Sequence, residues 1–203
     1  MYDTNQLTTK VAQTVIPELN QSGVLPPFIS ELNSTDPNGM APYLSSISEF
    51  VYQYATSVER INILKGLLDY RRKLKSIDIT DGFQWIDGSF VENVEFNRGR
   101  PPADVDLVTF AFRPTEIVDE WKALVKANEA LFNPQKSKDV YLCDAYFVDL
   151  NIHPFAIVNS TKYWFGLFSH QRESYLWKGM IKINLLCDDD EAYEILKQEE
   201  NHA

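Results

Sequence analysis

The 203-residue sequence predicts an α+β fold, a mixed β-sheet packed against helices. Three observations carry that expectation. Apolar residues recur at three- and four-residue steps from Ile47 to Leu68, which is the helical period. Short apolar runs bounded by turn residues occur at 83–87, 104–112, 140–150 and 179–186, as strands do. These two kinds of segment alternate irregularly, without the strict βαβ rhythm of a parallel sheet.

Residues 1–42 are weakly patterned, within an N-terminal arm taken as residues 1–45. Pro17, Pro26-Pro27, Pro37 and Pro42 punctuate them, and the stretch from Asn33 to Gly39 is a turn cluster. This segment is expected to be a mostly irregular arm packed on a core formed by residues 46–203. Ser46-Ile47-Ser48-Glu49 has the form of a capping box, and Thr56-Ser57 can open a second helix that runs to about Lys75. Thr115 can cap a helix over Ile117, Val118, Trp121, Leu124, Val125 and Leu131, which Asn133-Pro134 would end. A strand from Val140 to Leu150 follows and closes at His153-Pro154. Residues 155–177 are aromatic-rich and fit either element. Asp188-Asp189-Asp190 opens a final helix, where acidic residues complement the helix dipole.

Composition narrows the function. The net charge of −10 opposes broad binding to nucleic acid or to an anionic membrane. The runs Arg71 to Lys75 and Arg98-Gly99-Arg100 read as solvated surface, with a local basic groove as the alternative. No apolar run reaches the roughly 18 residues of a membrane helix, and the N-terminus lacks a signal-peptide layout, so a cytoplasmic location is expected. Cys143 and Cys187 read as reduced core thiols, and His153, His170 and His202 have no zinc-type spacing.

The chemistry concentrates in residues 83–106. An apolar run ends in Gly88-Ser89, and fourteen residues later comes the pair Asp104 and Asp106. On a strand, side chains at i and i+2 share a face, about 7 Å apart. Val108, Phe110 and Phe112 continue that face. Two carboxylates beside apolar residues repel each other and resist ionisation, a penalty that a divalent cation removes. Asp144 lies inside another apolar run and is the best third acid. Asp149, near that strand's end, is the alternative, and Asp87 reads equally as a turn residue.

This set, an apolar residue with Gly-Ser, a spacer, Asp-x-Asp and a later acid, resembles the pattern of the DNA polymerase beta-type nucleotidyltransferase superfamily. The stretches Trp85 to Val91 and Pro102 to Val108 also resemble small bacterial nucleotidyltransferase-like proteins. Leu25-Pro26-Pro27, Tyr163-Trp164 with Gly166-Leu167-Phe168, and Lys178-Gly179 add softer likeness. The spacer is longer than in minimal members and carries Arg98-Gly99-Arg100-Pro101-Pro102, a loop expected beside the site.

The resemblance implies a nucleotidyltransferase-like sheet and a Mg2+-dependent enzyme, with Mn2+ as the alternative ion. Asp104, Asp106 and Asp144 would be the catalytic acids of a paired-metal site: Asp104 and Asp106 would bind the magnesium ions, and Asp144 would bind the second ion or serve as general base for the acceptor hydroxyl. Gly88 and Ser89 would hold the phosphates of a nucleoside triphosphate. Arg172 and Lys178 are further nucleotide contacts to weigh against surface salt bridging. Trp164, Phe165 and Phe168 can stack on a base but more often form core. The acceptor hydroxyl would belong to a protein, an RNA end or a small molecule, with a toxin–antitoxin or phage-defence setting and a partner protein. The alternatives are a catalytically silent nucleotide-binding or partner-neutralising module of the same fold, and a DxD glycosyltransferase.

Overall fold

A computed structural model describes residues 16–29, 36, 39–172 and 174–200. His202 and most of the turn cluster between Asn33 and Gly39 lie outside the described residues. The fold is α+β. Its five-stranded mixed sheet has the order β1-β5-β2-β3-β4. The strands are β1 (Tyr43–Ser45), β2 (Gly82–Asp87), β3 (Val105–Ala111), β4 (Cys143–Asp149) and β5 (Ile181–Asn184). β1 runs parallel to β5 and β4 parallel to β3, whereas β2 is antiparallel to both of its neighbours. The described helices are α1 (Ile47–Tyr54), α2 (Val58–Lys75), α3 (Val94–Arg98), α4 (Val118–Ala127), α5 (Glu129–Phe132), α6 (Pro134–Tyr141), α7 (Pro154–Phe168) and α8 (Asp189–Glu200).

The two faces of the sheet bury different cores. On one face Ile86, Leu107, Ala145 and Ile183 pack under Phe50, Leu64, Leu67 and Leu196 of α1, α2 and α8. On the other, Trp85, Val108, Phe110 and Val148 pack under Trp164 and Phe168 of α7. Strand alternation makes this division, because neighbours along a strand point to opposite faces.

The helix starts follow their caps. Ser46 and Ser57 each accept a hydrogen bond from the backbone N–H three residues on, which splits α1 from α2 as expected. The reciprocal half of the capping box is absent. The Glu49 carboxylate instead accepts from the Ile16 N–H at 2.9 Å and from the Ser45 hydroxyl at 2.8 Å, tying the arm to the first helix.

Several expectations need correction. The described part of the arm is mostly irregular as expected, but its last residues, Tyr43–Ser45, pair with β5 as an edge strand. Thr115 is not the N-cap of α4, which begins at Val118 after Ile117. Its hydroxyl accepts from the Ile117 N–H one turn earlier. Asn133-Pro134 ends α5 but also starts α6: Asn133 caps it and Pro134 takes its first turn, where a missing N–H costs nothing. Val140 and Tyr141 are therefore helical, and β4 begins only at Cys143, after Leu142 turns the chain with φ 55°. Residues 154–168 resolve as helix.

Arg71 is no surface residue. It is fully buried, paired to Asp189 at 2.5 Å, with Gln84 Oε1 and two backbone carbonyls completing its fork. Lys75 joins the same Asp189, so the basic run forms neither a groove nor a uniformly solvated face. The acidic triplet does open α8, and it also carries tertiary contacts: Asp188 accepts from the Ile47 N–H and Ser48. Cys143 and Cys187 are free thiols, the first buried and the second half-buried. No described helix is long and apolar enough to cross a membrane.

Candidate active site

The site forms where β2 ends, β3 begins and β4 begins. Antiparallel pairing sets Asp87 opposite Asp106, and parallel pairing sets Asp106 opposite Asp144. Residues paired across strands share a face, and neighbouring strands lie about 4.8 Å apart. Asp87, Asp106 and Asp144 therefore form a row of carboxylates on the α7 face. Asp104, one residue before β3, joins them at the rim.

Gly88 makes the row possible. The chain leaves β2 with φ 81° and ψ −167° at this residue, a conformation almost restricted to glycine. A side chain here would collide with the row, since a Cβ would lie 1.7 Å from Asp106 Oδ2. The next residues, Ser89–Val91, form a single 3₁₀ turn whose Phe90 and Val91 are buried. Ser89 is thus held at the cavity edge between two anchored neighbours.

Together these residues line a polar cavity of about 340 Å³. Gly88, Ser89, Asp104, Asp106, Asp144, Arg172 and Lys178, all named from the sequence, contribute to it. Asp149 does not. It lies at the far end of β4 opposite Ala111, 3.9 Å from Arg113, where it accepts from the Asn151 N–H. Trp164 is core, in contact with the Tyr146 ring at 4.6 Å, and Phe168 is buried although it reaches the cavity wall. Phe165 is 38% exposed and meets Trp85 edge-on. Phe112 lies beyond β3 and is 44% exposed, so the strand face ends at Phe110. His153 caps α7, accepting at Nδ1 from the Phe155 N–H. His170 lines the cavity, with Nδ1 2.9 Å from the Ser169 hydroxyl.

Burial and mutual repulsion govern the acids. Asp106 is pushed up to about 6, first by burial and then by Asp104 and Asp144, with Lys178 and Arg172 opposing. Burial likewise raises Asp144, as does Asp104. Asp87 is pushed up to about 7 by burial, against the pull of Lys178. Lys178 is itself buried. Burial alone would lower its pKa, but Asp87 at 2.9 Å and Glu92 at 2.8 Å raise it and hold it charged. The contact to Asp87 Oδ1 is an ion pair outside hydrogen-bond geometry, so that buried oxygen has no hydrogen-bond partner. Glu92 also accepts from Gln171 Nε2 at 2.8 Å, which ties the loop bearing Arg172 to the Gly-Ser turn.

Glu92, Lys138 and Gln171 line the cavity without a signal in the sequence, and Arg98 and Asp87 had only a partial one. Glu92 and Lys138 had no local signal: their roles depend on a partner 86 residues away for Glu92 and on α6 for Lys138. Lys138 reaches Asp104 Oδ2 at 2.5 Å from the cavity mouth. Arg98 was visible only as part of a charge run. Asp87 was visible beside Gly88, but its face depended on register.

The donor set suits a hard divalent cation: the carboxylate oxygens of Asp104, Asp106 and Asp144 lie close enough that Asp106 and Asp144 are raised by their acidic neighbours. No group of three His, Cys, Asp or Glu side chains among the described residues is already converged to hold one. Asp104, engaged by Lys138, would have to exchange that partner.

The chain belongs to a family of unknown function, DUF6932, which matches residues 17–184. That span includes the whole sheet and each cavity residue named above, and leaves out α8. No curated protein and no solved structure matches the chain.

Proposed function

We propose that this chain is a Mg2+-dependent nucleotidyltransferase that moves a nucleoside monophosphate from a triphosphate to a hydroxyl acceptor. The observation that carries the reading is the cross-strand row of Asp106 and Asp144 with Asp104 at its rim, pressed against a turn in which only glycine fits. A DxD glycosyltransferase needs neither that turn nor the acid on the next strand.

Charge distribution supports a metal–nucleotide over a bare anion. Five carboxylates line the cavity, from Asp87, Glu92, Asp104, Asp106 and Asp144, against the two ammonium groups of Lys138 and Lys178. Such a floor repels phosphate until a cation is present. Arg98 and Arg172, exposed on the cavity wall, supply positive charge where phosphate oxygens would enter. Asp104, Asp106 and Asp144 would hold Mg2+, with Mn2+ as a substitute ion. Bound there, the ion would neutralise charge on the phosphates and on the departing pyrophosphate.

The chain's own residues then have separable tasks. The Ser89 hydroxyl and the backbone beside Gly88 bind the terminal phosphates. Asp144, set beside Asp106 by the β3–β4 pairing, accepts the proton of the acceptor hydroxyl. The acceptor oxygen bonds to the α-phosphorus as the bond to the β-phosphate oxygen breaks, and pyrophosphate leaves. The acidic surface favours a protein or small-molecule acceptor over RNA. A toxin–antitoxin or phage-defence role with a partner protein fits such an activity.

One observation favours a silent binding module of the same fold: Lys138 already occupies Asp104. Incubation with α-phosphate-labelled triphosphates, Mg2+ and a panel of acceptors, the protein itself included, separates the readings. Transfer that is lost in Asp104→Ala/Asp106→Ala is expected. Tight nucleotide binding without transfer would select the silent module, and hydrolysis of a nucleotide-sugar would select the glycosyltransferase.

A further inference from the structure

Lys178 is the most enclosed charge on the cavity wall. Its side chain is 4% exposed, and its backbone N–H donates to Ser169 O at 2.8 Å, so both ends of the residue are fixed. Its ammonium meets Asp87 and Glu92, the two residues that flank the Gly88–Val91 turn. Asp87 is in turn the strand neighbour of Asp106. The ammonium therefore sits at one end of the carboxylate row, beside the turn, and Asp144 sits at the other end.

An ammonium has three N–H donors. One goes to Glu92 Oε1, and Asp87 Oδ1 is met only as an ion pair. Donor capacity thus remains at the end of the row nearest the Gly-Ser turn. The two cavity lysines differ in mobility. The Lys138 side chain is 46% exposed and can leave Asp104, whereas Lys178 cannot leave without abandoning two buried carboxylates. A second divalent ion on the Asp87 side of Asp106 would have to sit against this fixed positive charge.

We propose that Lys178 is the resident second cation of the site: its ammonium supplies, beside the Gly-Ser turn, the charge that a second metal ion supplies in two-metal enzymes. This rests on the nucleotidyl-transfer reading above. A single divalent ion then serves Asp104, Asp106 and Asp144, and the ammonium faces the triphosphate from the Asp87 side. The proposal also accounts for two buried acids that the three-acid pattern does not use. Asp87 and Glu92 keep the lysine charged and in place.

Electron paramagnetic resonance with Mn2+ tests this without relying on turnover. The full chain is mixed with Mn2+ and the α,β-methylene analogue of each ribonucleoside triphosphate in turn. The wild type should hold one Mn2+ with the six-line spectrum of an isolated ion, lost in Asp106→Asn. Lys178→Met should admit a second ion and show the exchange coupling of two ions about 3.5–4 Å apart. Lys178→Arg, which keeps the charge, should retain the single-ion spectrum. A coupled pair in the wild type overturns the inference and leaves nucleotidyl transfer standing. So does a folded Lys178→Met protein that still holds one isolated ion. Absence of any bound Mn2+ in the wild type, or binding indifferent to Asp106→Asn, defeats the underlying reading as well. If Lys178→Met does not fold, the wild-type and Lys178→Arg spectra still decide.

Discussion

Two buried ionic clusters lie on opposite faces of the same sheet, and they differ in completeness. Under the α2 face, Arg71 meets Asp189, Gln84 and the carbonyls of Asn184 and Leu185, so its guanidinium is fully engaged. Gln84 passes its amide on to Thr109 at 3.1 Å, and the network closes within the protein. Under the α7 face, Lys178 is shared by two carboxylates, three further acids crowd beside them, and Asp87 Oδ1 makes no hydrogen bond. The first cluster holds elements together. The second carries excess negative charge that folding alone does not neutralise. A buried network that closes on itself has a structural role, and one left open toward a cavity points to a ligand.

Removing a charge from each cluster should therefore have opposite effects on stability. Arg71→Met leaves Asp189 and Gln84 without their principal partner, and breaking a buried pair in this way costs about 3–5 kcal/mol. Urea denaturation should show that loss with an unchanged slope. If Arg71→Met is neutral, the closed cluster does not hold α2 to α8.

Asp106→Asn should do the reverse in metal-free buffer. Its folded-state pKa is about 6 against an ordinary 3.8, so the folded chain holds the proton more tightly than the unfolded chain does. Between about pH 4 and 6 the folded state carries more protons, and stability falls as pH rises through that window. Above it the deficit is complete, on the order of 2–3 kcal/mol for one such group. Asp106→Asn should raise the melting temperature at pH 8, flatten the pH dependence, and lower Mg2+-dependent transfer by at least about 100-fold. A variant both less stable and inactive would show that Asp106 is structural.

Gly88→Ala probes the contact between turn and row. Strain from its backbone conformation and the collision with Asp106 should cost about 1–3 kcal/mol, with divalent-cation affinity falling alongside stability. Cation affinity measured calorimetrically at a temperature where the variant is folded separates the two losses. Retained affinity would mean that the turn does not shape the row.

Lys138→Ala should have the smallest effect. Its pair with Asp104 is largely exposed on the lysine side, where such pairs contribute about 1 kcal/mol or less. Stability should barely move, while Mg2+ affinity rises a few-fold because Asp104 no longer has a competing partner. A fall in affinity would make Lys138 part of the binding surface.

Local patterns carried much of this protein. The caps at Ser46 and Ser57, the strand ending at Asp87, the Gly-Ser turn and the helix opened by the acidic triplet depend on neighbours within a few residues. Asp104 and Asp106 are likewise close in sequence, although only Asp106 lies on β3 and Asp104 precedes it. Pro134 misled for a related reason, since a proline ends one helix and begins the next with equal ease, and only packing distinguishes the two. Tyr43–Ser45 was invisible because three residues carry no period, and its strand exists only by pairing with β5.

Sequence alone therefore determined the α+β class, the Gly88-Ser89 turn, the paired acids and Asp144 as the third acid to weigh. Each is encoded in side-chain chemistry at short range. Tertiary structure decided which face each buried charge occupies: Arg71 inward to Asp189, Asp87 into the row, Lys178 between Asp87 and Glu92. A one-residue change of register would exchange the faces of every side chain on a strand, and register is set by contacts far apart along the chain. The acids could be read from the sequence. Their crowding, and the lysine enclosed beside them, arise only when β2, β3, β4 and the chain leading into β5 come together.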